Sequence, residues 1–139
     1  MDLDEKDRKI LEVLEDNGRI SYTELGEKID VTDVAAKKRI SKLDENGVID
    51  NFTVNINYKK MGRPMHGYLL IKCSPETMNR IQNDFKNDKR ILGIDKTIGE
   101  YDLVIESACK GLDELKRLSE RDIGSLKGVQ EIRTVIVTD

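Results

Sequence analysis

Two polar residues that can begin helices, Ser21 and Thr32, stand eleven positions apart and limit how the first half of the chain can fold. Glu24 follows Ser21 by three positions, which is the spacing of a capping box. Leu25 and Ile29 give the segment between the two caps one apolar stripe. The sequence therefore predicts a short helix joined by a tight connection to a second capped helix, which is the order of a helix-turn-helix.

A further helix precedes this pair. Apolar residues at helical spacing from Leu3 to Leu14 predict it, and Asn17-Gly18 is a strong stop signal. The helix that begins at Thr32 is expected to run to about Asn46, since Asn46-Gly47 is a second stop. Its buried face is expected to consist of Ala36, Ile40 and Leu43. The first half of the chain is thus predicted to be a three-helix unit.

The outer face of this third helix is basic. On a helical wheel Val34, Lys38, Ser41 and Glu45 point away from the buried face, and Lys37 and Lys42 flank them. The first turn of a recognition helix is the part that enters the major groove of DNA most deeply. The candidate DNA contacts are therefore Arg19, Ser21, Thr32, Asp33, Val34, Lys37, Lys38, Arg39, Ser41 and Lys42.

The overall charge of the chain disfavours nucleic acid, but the distribution of charge favours it. The formal net charge is −3 and the pI is about 5.3. Between Val34 and Leu43 stand four cations and no acid, whereas acids gather in the first helix. A solvated helix face is the alternative interpretation of these lysines. Arg39 lies at the edge of the buried stripe, so we expect it both to reach phosphate and to pair with an acid of the first helix.

The segment after the third helix alternates between apolar and polar residues. Phe52, Val54 and Ile56 share one face, which predicts a half-buried strand. No partner strand is near in sequence, so its edge must pair with a distant segment or with another subunit. We expect a helix-turn-helix DNA-binding domain over residues 1–50, a connecting strand and linker over 51–63, and a second domain over 64–139.

The second half of the chain alternates strands and helices in the order β-α-β-β-α-β. Strands are expected at 68–73, 91–98, 101–109 and 129–138, with one helix after Ser74-Pro75 and another after Gly111. Leu112, Leu115 and Leu118 of the second helix are expected to face inward. This order predicts a ferredoxin-like antiparallel sheet with both helices on one face. The fold class is therefore α+β, and a homodimer partner is expected to cover the other face.

Neither an enzyme nor a cofactor site is predicted. His66 is the single histidine, and it has no second histidine or cysteine at metal-ligand spacing. With a strand order of 4-1-3-2, Cys73 and Cys109 end adjacent strands at opposite edges of the sheet, so both are expected to be free thiols. The longest apolar run, residues 68–71, is too short to cross a membrane, and no signal peptide precedes it. A cytoplasmic protein is expected.

The chain resembles the Lrp/AsnC (feast/famine) regulators. The resemblance rests on Leu3-Asp4, Asp7, Ile10-Leu11, Asn17-Gly18-Arg19-Ile20-Ser21, Glu24-Leu25, Arg39-Ile40, Leu43, Gly47-Val48-Ile49, Gly99-Glu100-Tyr101-Asp102-Leu103 and Gly128-Val129. It implies dimers built through the second domain, often assembled further into tetramers or octamers. It also implies amino-acid or related effectors, for which Gly99, Glu100, Tyr101 and Asp102 become candidate contacts. Ala36 and Asp30 depart from the pattern, since a larger aliphatic residue and a glycine are usual there.

These observations favour a sequence-specific transcription regulator whose assembly or DNA affinity responds to a small effector. The partners expected are double-stranded DNA, further copies of the chain and an amino-acid effector, with no membrane. An alternative for Gly99 and Asp102 is that they only form and cap the hairpin turn. Two alternatives for the whole protein remain open, an enzyme resembling sirohaem decarboxylases on the same scaffold and a weakly specific architectural DNA-binding protein.

Overall fold

The structure is a computed structural model that describes residues 1–138, and the chain divides into two compact units at Asn55/Ile56. The first unit contains three helices, α1 (Glu5–Asp16), α2 (Tyr22–Ile29) and α3 (Asp33–Glu45). Each begins at a side-chain cap. Asp4 and Asp7 form a reciprocal capping box on α1, and Ser21 and Thr32 accept hydrogen bonds from the first turns of α2 and α3. The predicted three-helix unit is therefore confirmed.

The core of the first unit is formed by one stripe from each helix. Its buried residues are Ile10, Leu25, Ile29, Ala36, Ile40 and Leu43. The connection between α2 and α3 is tight because Asp30 adopts a left-handed conformation, with φ of 60°. The Val31 N–H then donates to the Gly26 carbonyl at 2.9 Å. A Cβ atom on Gly26 would lie 2.6 Å from the Val31 carbonyl oxygen, so this position requires glycine.

The strand expected over residues 51–57 is not present within the part of the chain that the structure describes. These residues join no ladder, and the prediction of a strand is wrong for the isolated chain. Phe52 and Val54 are 59% and 74% exposed. A strand exists only when its backbone groups meet a partner, and the alternating pattern alone does not provide one. Asn57 then caps a short 3₁₀ turn, Tyr58–Met61.

The second unit is a four-stranded antiparallel sheet with two helices. Its elements are β1 (Met65–Cys73), α4 (Pro75–Phe85), β2 (Ile91–Lys96), β3 (Leu103–Cys109), α5 (Leu112–Lys116) and β4 (Val129–Ile136). A single π-helical segment, Arg117–Ile123, continues α5. The strand order is β2-β3-β1-β4, which confirms the predicted order read from the opposite edge. Among residues 1–138, no helix combines the length and apolar character that crossing a bilayer requires.

Both helices of the second unit pack on one face of the sheet. Leu69 and Ile71 of β1 meet Ile81 of α4 and Leu115 of α5 in one buried cluster. Leu115 and Leu118 are buried as expected, but Leu112, the first residue of α5, is 43% exposed, so the expectation that it faces inward is wrong. The opposite face of the sheet carries mixed polar and apolar side chains, and on β4 it leaves Val135 48% exposed.

The two cysteines are free thiols, as predicted. Cys109 pairs with Met65 at the beginning of β1, whereas Cys73 lies at the end of that strand. The two residues therefore lie at opposite ends of the adjacent strands β1 and β3, as antiparallel pairing requires. Burial raises the pKa of both thiols, that of Cys109 to about 11, so both are protonated and poorly nucleophilic near neutral pH.

Candidate nucleic-acid interface and effector turn

The outer face of α3 is polar except for one valine. Ala36, Ile40 and Leu43 are buried, which turns Lys38 and Ser41 outward. The exposed candidate DNA contacts of α3 are Val34, Lys37, Lys38, Ser41 and Lys42, together with Asp33 in the first turn. The structure thus gathers these residues on one side of one helix. We call the surface formed by Val34, Lys37, Lys38, Ser41 and Lys42 the basic face.

The hydroxyl groups of Ser21 and Thr32 are used as helix caps. Ser21 Oγ accepts from the Glu24 N–H at 3.1 Å, and Thr32 Oγ1 accepts from the Ala35 N–H at 3.0 Å. Each hydroxyl still carries a proton that it can donate outward, since a hydroxyl is donor and acceptor at once. Both residues are exposed, and each begins a helix whose first N–H groups favour a phosphate. Arg19, in the loop before α2, is also exposed.

Arg39 is held by the first helix and is not presented on the basic face. Its Nη1 donates to Asp4 at 2.8 Å and to Asp7 at 3.0 Å. The Asp7 side chain is only 8% exposed and that of Arg39 30%. The hydrogen bond from Arg39 holds the pKa of Asp4 below its usual value and raises that of Arg39. Of the two roles expected for Arg39, the structure shows the ion pair with acids of the first helix. This pairing forms because the edge of the buried stripe faces the start of α1.

Replacing Arg39 by alanine is therefore expected to destabilise the helical unit. Losing a charged hydrogen bond to the nearly buried Asp7 costs about 1–2 kcal/mol, which lowers the melting temperature of a unit this small by roughly 4–16 °C. The pKa of Asp4 is lower in the folded state than its ordinary value of 3.8. The pairing of Asp4 therefore adds to the free energy of unfolding above pH 3.8, and this contribution is lost as the pH falls through the lower pKa of the folded state. Melting curves followed by circular dichroism at pH 7 and about pH 3 measure both effects.

Arg8 provides the matched control for this variant. It is exposed on α1 and has no ion pair among the residues described. An Arg8→Ala variant loses the same charge, and we expect its melting temperature to stay within about 1–2 °C of the wild type, as is usual for surface substitutions. Equal melting temperatures for the Arg8 and Arg39 variants at pH 7 would contradict the role of Arg39 as a link between α3 and α1.

Tyr22 is a neighbour of the basic face that the sequence interpretation missed. Its ring is 44% exposed at the first position of α2, and Lys37 Nζ lies 5.9 Å from the ring centroid. A cation near an aromatic face is attracted by the ring quadrupole, so Tyr22 restricts where the Lys37 ammonium lies. The available sequence signal was an aromatic residue directly after a helix cap, in a chain with only six aromatic residues.

The turn at residues 97–102 holds the ends of three strands together. Asp102 Oδ2 accepts from the Cys73 N–H at 3.0 Å, and the Asp102 N–H donates to the Ile71 carbonyl at 2.8 Å. Thr97 Oγ1 donates to the Tyr101 carbonyl at 2.7 Å. Gly99 has φ of 145°, a conformation that favours glycine. The turn-forming roles considered for Gly99 and Asp102 are therefore present, and one oxygen of Asp102 is already occupied.

Charges of both signs surround this turn. Lys72 Nζ lies 5.4 Å from the centre of the Tyr101 ring and 3.9 Å from Glu100. Glu131 Oε2 is buried and has no hydrogen bond among the described residues, although Lys72 and Arg133 each lie 3.9 Å from it. Burial and the neighbouring Glu131 carboxylate raise the pKa of Tyr101. An α-ammonium and an α-carboxylate group would each find an opposite charge here.

The single histidine is part of a hydrogen-bonded group on the sheet. His66 Nε2 lies 2.7 Å from Glu106, and the Tyr68 hydroxyl donates to the same carboxylate at 3.2 Å. The negative charge of Glu106 raises the pKa of Tyr68. Within residues 1–138 no group of three or more histidine, cysteine, aspartate or glutamate side chains is placed to hold a metal ion.

Comparisons with known proteins match both units. Residues 3–44 match the AsnC-type helix-turn-helix domain, and residues 67–139 match the Lrp/AsnC ligand binding domain. An uncharacterized HTH-type transcriptional regulator of Pyrococcus abyssi is 31% identical over 137 residues, which are 99% of this chain and 92% of that protein.

Solved structures show the same fold. The structure of E. coli AsnC has a TM-score of 0.86 at 24% identity, covering 100% of this chain and 94% of the other. A transcriptional regulator of Neisseria meningitidis, solved as a complex with L-Met, has a TM-score of 0.91 at 18% identity and covers 99% and 91%. The two domain matches and the full-length relative establish that this chain belongs to the Lrp/AsnC family of helix-turn-helix transcriptional regulators.

Proposed function

We propose that this regulator binds specific sites in double-stranded DNA through the basic face of α3, acts as a homodimer or a larger homo-oligomer, and responds to an amino acid bound near the turn at residues 97–102. The observation that carries the proposal is the exposed basic face itself. Lys37, Lys38 and Lys42 project from a helix whose other side is fully packed, so the helix is presented rigidly.

The geometry supports DNA in particular among polyanions. The caps at Ser21 and Thr32 leave two helix N-termini exposed in the same unit, and each supplies N–H groups suited to phosphate. Arg19 and Lys37 add cations beside the first of these, and Tyr22 restricts the position of Lys37. A surface with phosphate contacts around an exposed helix can position that helix against base edges, which is how sequence is recognised.

Selection of duplexes from a random-sequence pool at fixed salt tests the proposal. We expect enrichment of a two-fold symmetric sequence, because a two-fold dimer presents two copies of α3 to major grooves about 34–36 Å apart or a multiple of that distance. Affinity for the selected sequence should exceed that for random duplex by roughly 10³-fold or more. Equal affinities would indicate the architectural alternative, in which the protein binds DNA with little sequence preference.

The two-fold assembly is supported by surfaces that a single chain leaves uncovered. The outer face of the sheet exposes Val135, and the connecting segment exposes Phe52 and Val54 on alternating positions. Apolar side chains arranged in this way are suited to a partner that adds a strand or covers a sheet. A second copy of the chain carries the same two surfaces, so a two-fold symmetric contact can use either of them on both subunits.

Replacing Asp102 by asparagine tests the effector part of the proposal. An asparagine oxygen can still accept from the Cys73 N–H, so the melting temperature should change little. Loss of the charge should weaken the response to a zwitterion, such as the L-Met found in the Neisseria relative. Thermal-shift measurements with each of the common amino acids identify a ligand. In the wild type that ligand should change the affinity for DNA by roughly 5- to 150-fold. The Asp102→Asn variant should lose this change.

Asp113 is the matched control for this experiment, since it is an exposed carboxylate at the start of α5. Asp113→Asn should keep both the ligand response and the DNA affinity of the wild type. If Asp102→Asn also keeps the full ligand response and the same oligomer distribution, the carboxylate only caps the turn. The effector part of the proposal would then be wrong at this residue, whereas DNA binding would be unaffected.

A further inference from the structure

Val34 is the single large apolar side chain on the basic face. It is 71% exposed, whereas the apolar residues on the other side of α3 are buried. At helical spacing it lies next to Lys37, Lys38 and Ser41, which are three, four and seven residues later. Its surroundings are therefore polar and cationic.

Helix stability does not explain a valine at this position. Valine loses side-chain freedom in a helix, and alanine is the better helix former. Where a side chain is buried, packing compensates for that loss, but Val34 has 71% of its surface exposed and little packing to compensate. A single apolar residue among cations is also too small a patch for a protein partner.

The major groove of DNA contains one isolated apolar group among hydrogen-bonding edges, the C5 methyl of thymine. Val34 matches it in size and in context, because the lysines beside it carry the charge that the phosphates on either side require. In a helix valine keeps one side-chain rotamer about 90% of the time, so its methyl groups are held in place before DNA binds. Its position in the first turn of α3 is the one that enters the groove most deeply.

We propose that Val34 recognises a thymine methyl group in each half of the operator and thereby determines part of its sequence. The inference rests on the proposed binding of DNA by α3, and it adds the chemical group that the helix reads. Removing one methyl group from such a contact should lower affinity about fourfold, from roughly 0.8 kcal/mol per buried carbon. Removal in both half-sites should lower it about fifteenfold.

The experiment uses duplexes that the wild-type protein has enriched from a random pool, with each thymine replaced in turn by deoxyuridine. Deoxyuridine keeps the hydrogen-bonding edge of thymine and lacks only the methyl group. We expect one thymine per half-site at which deoxyuridine weakens the wild type about fourfold. Val34→Ala keeps only the β carbon, so it should lose less affinity than the wild type when thymine is replaced by deoxyuridine. Its melting temperature should be equal to or above that of the wild type. Val34→Ile should retain the preference.

The possible outcomes distinguish the role of Val34 from the proposed binding of DNA by α3. A wild type that does not distinguish deoxyuridine at any thymine, while still preferring the enriched duplex, overturns the role of Val34 and leaves specific DNA binding intact. A thymine preference that is as large in Val34→Ala as in the wild type assigns the contact to another residue and also overturns the role of Val34. If no duplex is enriched over the random pool, both the role of Val34 and the proposed function are wrong.

Discussion

Replacing Lys37, Lys38 and Lys42 together by alanine is expected to remove most of the affinity for DNA and to leave the fold intact. All three side chains are exposed on α3, and alanine favours a helix more than lysine does. Each cation that contacts a phosphate releases condensed counterions, so each loss should lower the slope of log K against log[salt] by about 0.9. The slope should fall by up to about 2.7 for each copy of the helix.

The expected loss of affinity for this triple variant is roughly 10²-fold or more near 0.1 M salt, at about 1 kcal/mol per lost charged contact. Titrations by fluorescence anisotropy at several salt concentrations measure both quantities. The control is a triple alanine variant of Lys86, Lys89 and Lys116, which are exposed in the second unit and change the net charge equally. If both triple variants show the same salt slope as the wild type, α3 does not contact phosphate.

A second large effect is expected from Val135→Glu, which should dissociate the assembly. Val135 lies opposite Tyr68 on the outer face of the sheet, and Tyr68 bonds to Glu106. Since Val135 is 48% exposed in the single chain, the monomer tolerates a carboxylate there. In a dimer closed over this face the same carboxylate would be buried near Glu106, and burying an unpaired charge costs several kcal/mol.

Sedimentation at micromolar concentration should therefore show a monomer for Val135→Glu and a dimer or larger species for the wild type. DNA affinity should fall by roughly 10²- to 10⁴-fold, because two linked recognition helices bind far more tightly than one. Asn83→Glu, on the exposed side of α4, is the control for added charge. If the Val135→Glu protein still sediments as a dimer, the assembly surface does not lie on this face of the sheet.

The elements of the fold were predictable wherever one local signal decided them. Ser21 and Thr32 cap α2 and α3 as expected, because a cap depends only on residues within the same turn. The buried stripe of Ala36, Ile40 and Leu43 follows from helical periodicity alone. The strand order also followed from the order of elements, since few antiparallel arrangements place two helices on one face.

Contacts between distant segments were less predictable. Periodicity placed Arg39 at the edge of the buried stripe but could not decide whether its partner is a phosphate or an acid of α1. Only the packing of α1 brings Asp4 and Asp7 within 3.0 Å of Arg39. The proximity of Tyr22 to Lys37 likewise depends on the angle between α2 and α3. Sequence spacing gives neighbours along one helix, and it contains no direct measure of that angle.

By itself, then, the sequence determined three capped helices, a basic face on the third, and a βαββαβ sheet with free cysteines, because each depends on local propensity or on the order of elements. The tertiary structure decided which charged side chains remain on that face, that Asp102 bonds to the Cys73 N–H, and that residues 51–57 form no strand within the chain. The physical reason is common to all three. Hydrogen bonds and ion pairs form between groups that folding brings within about 3 Å, and that distance depends on every element packed between them.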